Sequence, residues 1–297
     1  MSIDIQTTVK KLRPQVRILM RAAVIVLLFC VAGSAVLWAQ EITTAEDYFY
    51  IGMGYAETGD YDYAIAYFTL AIRLNPNEAI IYNYRANAYF DKGDYDSAIA
   101  DYTRAIQLNP NAAIIFYSRG DAYQNNGDYD SAIADYTQAI RLDPNFAAAY
   151  NNRSYSYQHK EDYDRAIADL TRAIQLEPDE AIAYYNRGTA YVSINDYDRA
   201  IADFTQAIRL DPKDRLAFNN RGYTYGLRGD YDLAIVDCSE AIRLDPNSEN
   251  SYRHRAFAYM ATGNFTQARI DVDRALKINP DYQRAKDLDA ELRQKGY

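Results

Sequence analysis

The chain has 297 residues, 49% of them hydrophobic, and carries a formal net charge of -9 from 41 acidic and 32 basic side chains. That hydrophobic share excludes a disordered chain, and the acidic balance argues against nucleic acid as a partner, which usually requires a basic face. Two cysteines, Cys30 and Cys238, and two histidines, His159 and His254, are too few for a disulfide framework or a structural zinc site and leave little for histidine chemistry.

Residues 1–21 form a basic segment with Lys10, Lys11, Arg13, Arg17 and Arg21 against a single Asp4. Residues 22–39 follow without a charge, and eighteen helical residues reach about 27 Å, close to the thickness of a bilayer core. The charge order predicts a single-pass membrane protein with a cytoplasmic N-terminus and everything beyond the linker 40–44 outside the cytoplasm. The alternative is a cleaved signal sequence ending near Gly33-Ser34-Ala35, which would leave a secreted or periplasmic domain. With the span retained, one or two of the contiguous rings Tyr48, Phe49 and Tyr50 would touch the bilayer interface. Without residues 1–21 the chain holds 27 basic and 40 acidic side chains, so an anionic lipid surface would repel it.

Past residue 44 one period governs the sequence. Pro76, Pro110, Pro144, Pro178, Pro212, Pro246 and Pro280 are each 34 residues apart. Such a period marks a stacked array, here cut into seven units: 45–78, 79–112, 113–146, 147–180, 181–214, 215–248 and 249–282. Each unit reads as two helices: Tyr184, Gly188 and Tyr191 share one face, and Ala200, Phe204, Ala207 and Ile208 repeat that spacing further on. Between them stands a turn that mostly reads G-D-Y-D, with Gly for a left-handed helix end and Asp to cap the next helix. Leu-Asp-Pro or Leu-Asn-Pro closes most units. Glu161 and Asn195 replace the turn glycine in units four and five. Residues 283–297 follow, with Ala285, Leu288 and Leu292 on one helical face, and suit a capping helix.

These units resemble the tetratricopeptide repeat family. Unit one supplies Tyr48, Gly52, Tyr55, Ala64, Phe68, Ala71 and Pro76 at the family's positions, and unit three Phe116, Gly120, Tyr123, Ala132, Tyr136, Ala139 and Pro144. The resemblance covers residues 45–282 and implies an all-α, right-handed superhelical solenoid whose first helices line a concave groove. Leu170, Cys238 and Val272 stand where the family has an aromatic, so units four, six and seven are expected to be less tightly filled.

Three groups of residues stand out. Eighteen of the 30 tyrosines fall at the fourth, eleventh and seventeenth places of the unit, as packing residues would. Arg85, Arg119, Arg153, Arg187, Arg221 and Arg255 take the seventh place of units two to seven, and Asp101, Asp135, Asp169, Asp203, Asp237 and Asp271 the twenty-third. Unit one lacks both, with Ile51 and Tyr67, so the charges are expected to pair between the two helices of a unit, with an anion-binding arginine ladder as the alternative. By the resemblance, the groove wall includes Asn83, Tyr84, Asn87, Tyr117, Asp121, Asn151, Asn152, Tyr155, Tyr185, Asn186, Asn219, Asn220, Tyr223, Arg253 and His254.

Amides that donate and accept, beside rigid tyrosine faces, suit an extended polypeptide partner. The same wall suits an envelope polysaccharide or glycan as the alternative ligand. The sequence holds no phosphate loop, H-E-x-x-H or G-x-S-x-G, and no catalytic pair breaks the repeat. The expectation is therefore a non-enzymatic scaffold, without cofactor or metal, that binds a protein or peptide in its groove and a membrane through residues 22–39.

Overall fold

The computed structural model describes residues 44–297. The expected membrane span 22–39 and its basic flank lie outside the described residues, within which no helix is long and apolar enough to cross a membrane.

Fifteen α-helices and no strand make up the described residues. Seven hairpins are formed by α1 (Ala45–Glu57) with α2 (Tyr61–Leu74), α3 (Ala79–Lys92) with α4 (Tyr95–Leu108), α5 (Ala113–Asn125) with α6 (Tyr129–Leu142), α7 (Ala147–His159) with α8 (Tyr163–Leu176), α9 (Ala181–Ser193) with α10 (Tyr197–Leu210), α11 (Arg215–Arg228) with α12 (Tyr231–Leu244), and α13 (Glu249–Ala261) with α14 (Phe265–Ile278). A last helix, α15 (Gln283–Gln294), packs on α14 and α13. The chain divides into two compact units, one ending at Pro144 with three hairpins and one from Asn145 with four hairpins and α15. Within each unit a second helix packs on its own first helix and on the first helix of the next hairpin.

Local chemistry sets these boundaries. Gly59, Gly93, Gly127, Gly229 and Gly263 adopt φ between 79° and 96° in the hairpin turns, where an L side chain is disfavoured. Glu161 and Asn195 hold the same left-handed turn at φ 59° and 60°. The following aspartates then cap the second helices: Asp94 accepts from Ser97 N, Asp162 from Arg165 N and Asp196 from Arg199 N at 3.1–3.2 Å. Asp60 and Asp230 stand at the same place without capping; Asp60 instead accepts from Thr58 Oγ1 and Asp230 from Arg228. Every second helix ends two residues before its proline.

The core is a line of small residues facing rings. Ala64, Phe68, Ala71, Ala200, Phe204 and Ala207 are completely buried. A Cβ on Gly52, Gly120 or Gly188 would lie 2.7–2.8 Å from the ring of Phe68, Tyr136 or Phe204, so glycine there is what lets the two helices close. Leu170, Cys238 and Val272, which stand at the aromatic place of units four, six and seven, are all fully buried. In units four and seven the facing place carries Ser154 or Ala256 instead of glycine, and both are buried. Cys238 is sealed so well that burial pushes its thiol up to about 12. Tyr48 and Phe49 face inward, against Tyr67 and against Phe68 and Tyr84, so those two rings serve the first unit's core.

Candidate functional site

In every hairpin from the second to the seventh, the seventh-place arginine forms a bidentate pair with the twenty-third-place aspartate of the same hairpin. Arg85 Nε donates to Asp101 Oδ2 at 2.7 Å and its Nη2 to Oδ1 at 2.8 Å. Arg119–Asp135, Arg153–Asp169, Arg187–Asp203, Arg221–Asp237 and Arg255–Asp271 repeat this between 2.6 and 2.8 Å. The arginine side chains are 14–20% exposed and the aspartates 3–10%, so an unpaired member would be costly. The hydrogen bond to Asp203 raises the Arg187 pKa against the opposing effect of burial.

The guanidinium does more than pair. Its third donor reaches back to the preceding hairpin: Arg85 Nη1 to Thr69, Arg119 to Thr103, Arg187 to Thr171, Arg221 to Thr205 and Arg255 to Ser239, at 2.9–3.1 Å. Its two faces carry the fourth- and eleventh-place rings, as Tyr184 and Tyr191 do for Arg187, both 5.9 Å from Cζ. One side chain thus ties two helices and two hairpins. In the first hairpin the ring of Tyr67 fills this space, 5.4 Å from Tyr55 and 6.2 Å from Tyr48. The hydroxyl at the twenty-fifth place recurs with the period and could have been found by the same ruler; nothing in its chemistry singles it out on a helix surface.

The wall residues are also tied across hairpins, by an offset that sequence spacing does not reveal. A fifth-place residue meets the sixth-place residue of the next hairpin. Phe49 meets Tyr84 edge-on at 5.1 Å. Asn186 Nδ2 donates to Asn151 Oδ1 at 3.0 Å, Asn220 Nδ2 to Tyr185 Oη at 2.9 Å, and Asn219 Oδ1 lies 2.9 Å from His254 Nδ1. Within hairpins Asn151 and Asn219 also donate to Asn152 and Asn220, both at 3.2 Å. Asn219 and His254 are therefore buried in a seam, with Ser251 Oγ also donating to Asn219 at 3.1 Å. Desolvation, with Arg253 and Arg284 nearby, holds His254 well below the usual imidazole range.

In the first unit, Tyr102 Oη donates to Asn87 and Tyr136 Oη to Asp121, both at 2.6 Å, beside a hollow of about 250 Å³ lined by Asn87, Phe90, Asp91, Tyr102, Ser118 and Asp121. Tyr117 packs on the Tyr136 ring at 5.8 Å, and Asn83 Oδ1 is buried without a hydrogen-bond partner. Tyr155 is open, at 46% exposure. So are four apolar residues at the second place, Ile80, Ile114, Ile182 and Leu216. Being apolar, they stand outside the polar wall residues that the sequence singles out. Tyr223 stacks on His254 at 4.5 Å and lies under Arg253.

Stacked helical hairpins with a repeated first-helix wall define the class. Models of tetratricopeptide repeats match residues 45–78 and 250–282, 67–100 and 135–168, 113–146 and 216–248, and 154–218, and a TPR repeat model matches 86–127. The chain belongs to the tetratricopeptide repeat family. No curated protein matches the sequence. Among solved structures, YrrB, a TPR protein with an unusual peptide-binding site, is 24% identical with a TM-score of 0.55, over 64% of this chain and 97% of its own. MamA is 27% identical with a TM-score of 0.52, over 54% and 94%. The C-terminal part of a TPR repeat-containing protein from Cytophaga hutchinsonii is 20% identical with a TM-score of 0.66, over 81% and 98%.

Proposed function

We propose that the protein is a non-enzymatic scaffold that holds a partner polypeptide on its first-helix faces and is tethered to a membrane by residues 22–39. The repeated wall carries this reading. Exposed Ile80 and Ile114 in one unit, and Ile182 and Leu216 in the other, offer evenly spaced apolar seats beside amide and tyrosine groups. An extended chain presents side chains and backbone amides in regular alternation, which such a wall can match. The TPR protein YrrB is described with a peptide-binding site, which favours a polypeptide over a glycan. The tether rests on the uncharged run 22–39 behind five basic residues.

Detergent extraction of the full chain, followed by affinity capture, tests both parts. A specific protein should co-purify, and its recovery should fall at least tenfold in Tyr155→Ala/Ile182→Asn with helicity unchanged. Capture of a defined glycan with no protein would replace the reading. Mass spectrometry of the native chain should find residues 1–39 intact; a start beyond Ala35 would remove the tether.

A further inference from the structure

The outer faces of the second helices change character in the last two hairpins. In hairpins two to five the nineteenth place of the unit is always serine or arginine, and the twenty-second always alanine. Hairpin six carries Leu233 and Val236 at these places, and hairpin seven carries Ile270 at the twenty-second. These three side chains are 48%, 63% and 55% exposed. The core does not need them, because Cys238 and Val272 already fill the inner faces of the same helices. Leu233 and Val236 lie one turn apart on α12, and Ile270 takes the matching place on α14, so they form one apolar strip.

The charges around the strip are sorted by helix. Asp232 and Glu240 stand one turn before and one turn after Val236 on α12, whereas Arg274 and Lys277 follow Ile270 on α14. Glu240 is held by Arg243 of its own helix. Asp232 and Lys277 are exposed, Arg274 is half-buried, and none of the three has an ion pair among the described residues. Asp232 and Arg274 stand eight places apart in the repeat, a rise of about 12 Å along like-directed helices, so they do not meet within one chain.

We infer that this strip is where two copies of the chain pair about a twofold axis, α12 of each lying antiparallel on α14 of the other. Turning a second copy over sets its Ile270 on Val236. Asp232 lies four residues before Val236 and Arg274 four residues after Ile270. In the antiparallel arrangement each Asp232 therefore meets the other copy's Arg274, with the other copy's Lys277 one turn beyond. The twofold axis makes every such contact twice, so the surface supplies its own complement. It also sets the positive N-terminal end of α12 against the negative C-terminal end of α14. Each of these helices has 14 residues and is about 21 Å long, and with neighbouring hairpins about 10 Å apart the footprint is about 400 Å² per copy. A total of about 800 Å² makes a reversible pair, not a permanent one. The first-helix wall takes no part and stays open to its own ligand.

Disulfide trapping between full chains in detergent tests the pairing, with Cys30→Ala throughout; the buried Cys238 does not compete. Chains carrying Val236→Cys are mixed with tagged chains carrying Ile270→Cys under mild oxidation. The mixed link should form at least fivefold faster than either chain's link to its own kind. It should also outpace links through Ala202→Cys, which is exposed at the same place of hairpin five. Asp232→Lys in both chains should slow the mixed link at least fivefold with helicity unchanged. Adding Arg274→Glu/Lys277→Glu to those chains should restore it, which repair of a merely structural defect would not do. Self-links as fast as the mixed link, a mixed link no faster than the Ala202→Cys control, or a charge exchange that restores nothing would each overturn the twofold pairing.

Discussion

Arg187 is a point where three constraints meet: a carboxylate from its own hairpin, a hydroxyl from the one before, and two aromatic rings. Asp203→Ala should strand the Arg187 charge and cost about 3 kcal/mol, whereas Arg187→Leu/Asp203→Leu should cost far less, because two matched apolar side chains need no desolvation. Urea denaturation of the three chains separates these outcomes. His254 gives a pH signature of defined sign. Its folded pKa lies below the unfolded value near 6.5, so the unfolded state takes up the proton first. Its neutral-form stability is present above pH 6.5 and is lost as the pH falls below that value. Thermal midpoints between pH 7.5 and 5 should drop more for the native chain than for His254→Gln. The Arg–Asp pairs were legible because both charges are missing together from the first repeat, as Ile51 and Tyr67. The burial of Asn219 and His254 was not, because it depends on the one-place offset between neighbouring hairpins, which a single unit read alone does not contain.

At the scale of one hairpin, turn chemistry dominates. Glu161 holds a left-handed conformation at φ 59° that costs a non-glycine residue about 1 kcal/mol or more. Glu161→Gly should therefore raise the thermal midpoint by a few degrees, an increment calorimetry resolves. Asp196→Ala removes the acceptor for Arg199 N and should destabilise by about 1 kcal/mol in the same assay. Gly188→Ala would place a Cβ 2.8 Å from the Phe204 ring and should cost about 1–3 kcal/mol, with Phe204→Leu in the same chain recovering part of it. The helices and their ends were readable, since proline, glycine and aspartate act within a few residues of where they stand. The close approach of Gly188 to Phe204 was not, because it depends on volumes at two places 16 residues apart.

At the scale of the described residues, the seventh-place arginines are consumed internally. Six buried ion pairs absorb the arginines that would otherwise line the first helices, and the apolar second-place residues are left to face solvent. The period gave away the architecture because it is uninterrupted over seven copies, while the apolar seats, spread one per hairpin, form no run in the sequence.

The hydroxyl-to-guanidinium ladder also has two unlike ends. The first hairpin offers Thr69 forward but, with Ile51 at the seventh place, extends no guanidinium backward. At the far end the twenty-fifth place is Asp273, already engaged by Arg269, and α15 covers the last hairpin. A leading face without the guanidinium and a trailing face without the free hydroxyl cannot form this one contact with each other, so head-to-tail growth would gain nothing from the ladder.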